Sequence, residues 1–196
     1  TGNRLTLTSD LPPLEDAAGE VSFTDASFSV PQARARIFGG PVTIAGGTKP
    51  SGQIEFQARG EAQPAALGPL FDHPLRRSLG GSAPYTAAVS LRNGLQRVVV
   101  DSSLRGVTSK LPPPFEKAAA DTLPLHVEFV PNEKLVFTWA WRTTPERESL
   151  VTVLIKPDGA GSLLTLIHEQ FFDETARDGH QRGWTSTLEK LDRFLS

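Results

Sequence analysis

The chain has 196 residues, 38% hydrophobic and 21% charged, the balance of a globular protein that can bury a core. A formal net charge of −2, with no Lys/Arg run, leaves no electrostatic footprint for nucleic acid, and the absence of cysteine excludes disulfides, thiolate nucleophiles and cysteine metal sites. No apolar run approaches the roughly 18 residues that a spanning helix needs, and no signal peptide is visible. Residue 1 is Thr and the chain holds no Met, so it reads as an excised or assembled piece of something longer.

In chain order, residues 1 to about 130 read as short strands. Arg4 to Thr8, Glu20 to Val30, Ala33 to Phe38, Val42 to Ala45 and Gln53 to Ala62 alternate with partial period two. Gly39-Gly40-Pro41, Gly46-Gly47 and Lys49-Pro50-Ser51-Gly52 punctuate them. Val21, Phe23, Phe28 and Val30 do not keep one parity, which predicts a turn or bulge near Asp25-Ala26. Pro64 to Leu79 is the one helical candidate of this half, interrupted at Gly68-Pro69. Strands resume at Tyr85 to Arg92, turn at Asn93-Gly94 and continue from Gln96 to Ser102. The Pro-rich connector Leu111 to Phe115 then leads to a strand from Leu125 to Val130.

The last third is the most regular. Leu135, Phe137, Trp139 and Trp141 share one face of a strand, because successive side chains alternate. Leu150 to Ile155 is a second apolar run, Pro157 to Gly161 carries turn chemistry, and Leu163 to His168 is a third strand. Asp173 is placed to cap a helix that follows with acids in its first turn. Ala176, His180, Trp184, Leu188, Leu191 and Leu195 recur at the spacing of one helix face. The expected class is α+β: a mainly antiparallel sheet with one long C-terminal helix packed on it.

Candidate chemistry is sparse. His168-Glu169 with His180 is the one cluster that invites a catalytic reading, as a histidine base oriented by a carboxylate. No nucleophile is placed by spacing, so strand capping by His168 and Glu169, with His180 half-buried on the helix, is the preferred reading. The four histidines at 73, 126, 168 and 180 show no metal-ligand spacing. Asp72-His73 near Arg76-Arg77 reads as a solvated turn before an anion site. Gly39-Gly40 and Gly80-Gly81 lack the Lys-Ser/Thr of a phosphate loop, and Phe115 beside three prolines reads as a rigid connector. No cofactor is implied.

Two resemblances follow from ordered motifs. Ile37 to Pro41, Gly60, Leu67 to Leu79, Gly80 to Tyr85, Ser102 to Val107, Leu111 to Lys117 and Leu123-Pro124-Leu125 resemble the periplasmic region of YhdP-type, AsmA-like envelope proteins. That resemblance covers roughly residues 1–130 and implies an elongated β structure with an apolar groove for phospholipid, in proteins that are longer and membrane-anchored. Val130 to Trp139, Leu150 to Val153, Leu164 to Glu169 and Gly183-Trp184 with Leu188 to Leu191 resemble the C-terminal half of START-like, helix-grip domains. The nearest branch is the homologues of the activator of heat-shock-protein ATPase. It implies a ligand held between sheet and helix.

The expected organisation is therefore a β-rich segment over residues 1–129 and a partial helix-grip segment over residues 130–196. The join falls inside a strand, as in a recombined chimera. The expected function is non-catalytic binding of an apolar or lipid-like ligand in a groove lined by Phe137, Trp139, Trp141, Trp184 and Leu188, and catalytic residues are not assigned. A co-chaperone-like interaction module and an artificial fusion without selected function are the alternatives. Expected partners are an apolar small molecule, no nucleic acid, a membrane only through the missing parts of a parent protein, and a second copy through an open sheet edge. The compartment follows whichever half dominates, cell envelope for the first and cytoplasm for the second.

Overall fold

In a computed structural model, residues 3–6, 12–68, 77–113, 115–141 and 143–195 are described. Twelve strands form one antiparallel sheet, and a second sheet has two strands. The main sheet opens with β1 (Arg4–Leu5), β2 (Leu14–Gly19), β3 (Ser22–Phe23) and β4 (Phe28–Ile37). It continues through β5 (Gly40–Thr48), β6 (Ile54–Ala62), β8 (Ala83–Leu91), β9 (Leu95–Ser102) and β11 (Leu125–Val130). It ends with β12 (Lys134–Trp141), β13 (Thr144–Asp158) and β14 (Gly161–Glu169). Each of these strands lies beside its sequence neighbour in the sheet, except that β3 pairs only with β4. The small sheet joins β7 (Leu79–Gly81) to β10 (Val107–Ser109). Helix α1 (Glu174–Leu195) closes the chain.

Turn chemistry explains the hairpins. Asn93 and Gly94 both have positive φ, 57° and 126°, between β8 and β9, as a tight connection in a right-twisted sheet demands. Between β4 and β5 the two turn residues are Phe38 (φ 54°) and Gly39 (φ 77°). Gly40 and Pro41, expected in the turn, instead begin β5 opposite Ile37 and Arg36. The turn expected near Asp25-Ala26 is present as a bend between β3 and β4, closed by Thr24, whose Oγ1 lies 2.6 Å from Ser27 Oγ.

Three strands run further than their sequence suggests. β4 passes through Pro31-Gln32, where its pairing with β5 shifts register between Val30 and Ala33; a bulge is where a strand tolerates a proline without a donor. β5 passes through Gly46-Gly47 because the neighbouring strand lies against it. A Cβ on Gly46 would sit 2.2 Å from the Glu55 carbonyl oxygen and 2.6 Å from the Phe56 ring. β13 extends from Thr144 to Asp158 and includes Pro157, because β12 already ends opposite Leu154 and Pro157 faces no donor-seeking strand on that side. The helix expected after Pro64 is a single 3-10 turn, Pro64–Leu67. The rest of that candidate, like Asp72, His73 and Arg76 and the end of the first expected strand, lies outside the described residues.

Pairing register assigns side chains to faces. One row runs straight across nine strands: Ala33, Ile44, Ala58, Ala87, Val100, Val127, Phe137, Val151 and His168. A parallel row contains Val30, Gly46, Phe56, Val89, Val98, Phe129, Leu135, Val153 and Leu166. From β4 to β13 both rows are apolar, and on β14 they end at His168 and Leu166. The best-buried cluster of this face, Leu14, Ala35, Val42, Ile44 and Tyr85, is packed by Ile37, Phe38 and Ala62. The opposite face carries Thr43, Arg59, Thr86, Asp101 and His126 in one row. On it Glu128 accepts from Arg97 (3.0 Å) and lies 2.7 Å from Lys134 Nζ, which together hold its carboxyl at about 2. Between β9 and β11 the connector is tied down by Lys117, whose Nζ donates to the carbonyls of Val107, Ala118 and Asp121 at 3.0, 3.2 and 2.7 Å.

Candidate functional site: an aromatic junction between sheet and helix

The apolar rows end under α1, and the aromatic residues singled out in the sequence converge there. Trp139 is the hub. Its ring centroid lies 6.3 Å from Phe137, 5.8 Å from Trp141 and 5.8 Å from Trp184 of the helix. Most of these contacts are tilted or edge-on, the arrangement that aromatic quadrupoles favour. Trp139, Trp141 and Trp184 are also all the tryptophans of the chain. Leu188 continues the helix stripe one turn on, but 37% of it is exposed, as are 38% of Leu191 and 85% of Phe194. The helix therefore covers the sheet through its first half. Asp173 caps it as the sequence implies, accepting from the Ala176 N–H at 2.7 Å.

Histidines complete the junction. The His168 ring lies 4.7 Å from that of His180 and 4.3 Å from that of Phe171. Trp184 Nε1–H donates to His168 Nδ1 at 2.9 Å. An indole nitrogen only donates, so His168 carries its proton on Nε2 and donates to Ser149 Oγ at 2.9 Å. The Ser149 hydroxyl in turn donates to the Trp139 carbonyl at 3.0 Å. This chain of three bonds, with every donor fixed by its neighbour, links helix, β14, β13 and β12. His180 bonds the Ala176 carbonyl through Nδ1 at 2.8 Å, which leaves Nε2 as an acceptor. That Nε2 and the Trp139 Nε1–H are the buried side-chain atoms without a hydrogen-bond partner among the described residues.

The catalytic trio that the sequence offered does not assemble. His168 and His180 meet, but Glu169 follows His168 along a strand and so points to the other face of the sheet. His168 does not cap its strand; it serves as the relay just described. Ser149 and Phe171 belong to the junction and were not singled out in the sequence. Ser149 was recoverable by counting: it sits two residues before Val151, on the parity that faces the helix. Among the described residues no group of His, Asp or Glu is placed to hold a metal ion. On the polar face an open cleft of ≈ 670 Å³ contains Asp101 and His126, paired at 2.7 Å.

Burial, reinforced by neighbouring His180, lowers the His168 pKa to about 4. A histidine whose folded pKa lies below its unfolded value contributes stability that is complete above about pH 6.5 and is lost as the pH falls toward 4. Protonation of Nδ1 also sets two donors, Nδ1–H and the Trp184 N–H, against each other. Equilibrium denaturation between pH 7 and 4 should therefore show a loss of about 1 kcal/mol attributable to this group, the size expected after solvent screening. His168→Gln should flatten that part of the profile; an unchanged slope would remove His168 from the account.

Two family models match the chain. The model described as YhdP protein matches residues 1–150, and the model described as activator of Hsp90 ATPase homolog 1-like protein matches residues 117–196. The two overlap across β11, β12 and the start of β13. No curated protein and no solved structure matches the chain. The second match spans β11 to β14 and α1, which are therefore similar to a family of helix-grip fold. With 150 of its 196 residues matched from the first position, the chain belongs to the YhdP protein family.

Proposed function

We propose that the protein is a non-catalytic binder of an apolar or lipid-like ligand, held along the apolar face of the sheet and against α1. The observation that carries this reading is the pair of apolar rows, one from Ala33 to Val151 across eight strands and closed by His168, the other from Val30 to Leu166 across nine. A sheet that needs only a core would be closed by a second layer; among the described residues α1 is the one long helix, and it covers one end. Phe137, Trp139, Trp141, Trp184 and Leu188 form the helix end of the groove. The Trp139 Nε1–H and His180 Nε2, one donor and one acceptor, would meet a hydroxyl or protonated carboxyl of such a ligand. Membership of the YhdP family supports a relation to envelope phospholipid transport, and the ligand would be an acyl-chain lipid. The junction of the two family matches within β11 to β13 supports a composite of two segments, 1–129 and 130–196.

Native mass spectrometry of protein purified from cells, followed by organic extraction, tests the reading. A lipid retained at fixed stoichiometry supports it, and a ligand-free chain that takes up no added phospholipid or fatty acid sinks it. The match to an activator of Hsp90 ATPase homolog 1-like protein supports a second reading, an interaction module that stimulates a chaperone ATPase. A concentration-dependent rise in ATP turnover by a chaperone of that class is its test.

A further inference from the structure

The two edges of the main sheet are finished differently. On one side β1 has two residues, and β2 pairs with β4 through a register shift between Glu15 and Ala18, with Asp16 at φ 50°. A short, kinked edge resists addition of another strand. On the other side β14 pairs with β13 in unbroken register from Gly161 to Glu169. It contains no Pro, Lys or Arg and no acid before Glu169. Leu163 is 53% exposed, Leu164 39% and Ile167 41%. A straight, apolar, uncharged edge of this length is a template for strand pairing.

The backbone groups it offers can be identified. The two-residue turn at Gly159-Ala160 makes Asp158 and Gly161 a hydrogen-bonded pair, so the odd-numbered residues of β14 bond to β13. The N–H and C=O groups of Ser162, Leu164, Leu166 and His168 therefore point outward. We propose that this edge pairs antiparallel with β14 of a second copy of the chain, about a two-fold axis at Thr165.

In that register Leu164 faces the second copy's Leu166, and Ser162 faces its His168, as hydrogen-bonded pairs. Leu163 faces Ile167, and Thr165 meets its own symmetry mate. Apolar side chains oppose apolar ones on both faces, and Glu169 lies opposite Gly161, so no like charges meet. About eight main-chain hydrogen bonds form. An unrelated peptide would gain the same main-chain bonds but not this self-complementary pairing, which is the requirement of a two-fold interface. The axis stands perpendicular to the sheet, so the apolar face of one copy runs on into that of the other, with both α1 helices on the same side. The pairing does not depend on ligand binding.

The chain has no cysteine, so Thr165→Cys introduces a sole thiol. Residues opposed in a non-hydrogen-bonded antiparallel pair have Cα atoms about 4.5 Å apart, within the span of a disulfide. Mild oxidation should convert this variant into a covalent dimer, whereas Ser186→Cys, on the exposed side of α1, should not crosslink at comparable rate. Sedimentation velocity of the unmodified chain should show a concentration-dependent monomer–dimer equilibrium. Thr165→Lys and Thr165→Glu should each weaken it about fivefold, and their equimolar mixture should restore it. Thr165 is exposed, so the variants should fold, with circular dichroism as the check. A chain monomeric at every concentration, a dimer indifferent to Thr165→Lys, or Thr165→Cys crosslinking no faster than Ser186→Cys would each overturn the proposal.

Discussion

Replacing Trp139 with Ala is expected to cost about 3 kcal/mol and to release α1 from the sheet. The lower part of the range for removal of a large aromatic applies because Trp139 is half-buried. Its ring touches Phe137 and Trp141 on its own strand, His168 on β14, and His180 and Trp184 on the helix. Deleting it therefore removes packing on three elements at once. The Ser149 bond to the Trp139 carbonyl survives, since it is made by the backbone. Guanidinium denaturation should show the lower midpoint, and the near-ultraviolet dichroism of the two remaining tryptophans should collapse at denaturant concentrations where strand signal persists. Trp139→Phe should recover most of the loss. A Trp139→Ala protein with unchanged midpoint would mean that the junction does not hold the helix.

A second large effect is expected far from the helix. Gly46→Val places a branched side chain where even a Cβ would lie 2.2 Å from the Glu55 carbonyl oxygen and 2.6 Å from the Phe56 ring. The obstacle is backbone of the paired strand, which cannot step aside without breaking the β5–β6 ladder. A loss of about 3 kcal/mol or more, seen as a lowered thermal midpoint or failure to accumulate folded protein, is the expected result. Gly161→Ala is the control: the nearest atom to its Cβ would be the Asp158 oxygen at 3.8 Å, and the change should stay within about 0.5 kcal/mol. Equal behaviour of the two variants would contradict the close approach of β5 and β6.

Elements whose signals are local were legible in the sequence. Asn93-Gly94 marked its hairpin, Leu125 to Val130 its strand, and Asp173 the start of α1, because turn residues, alternation and a capping oxygen act within a few positions. What was missed depends on neighbours. Gly46-Gly47 looked like punctuation, yet Gly46 lies against Phe56 and the β6 backbone and Gly47 against the β4 backbone at Phe28 and Ser29. Pro31 and Pro157 looked like strand breakers, and each sits where the adjacent strand asks for no donor. The two-stranded pairing of Leu79–Gly81 with Val107–Ser109 joins segments too short to show a period. Among site residues, Phe137, Trp139, Trp141 and Trp184 could be found from strand and helix periodicity. The relay through Ser149 and His168 required the β13–β14 register, which the sequence leaves open until the turn is fixed at Gly159-Ala160.

The position of all three tryptophans at one junction makes intrinsic fluorescence a report on the proposed groove alone. The decisive measurement is titration of delipidated protein with a brominated-acyl phosphatidylcholine and with a brominated fatty acid, following tryptophan emission. Saturable quenching at one ligand per chain is expected, relieved by competition with the unbrominated lipid and lost when Phe137→Asp places a charge in the apolar row. Quenching that rises without saturation, or emission unaffected by either lipid, would contradict ligand binding at this face.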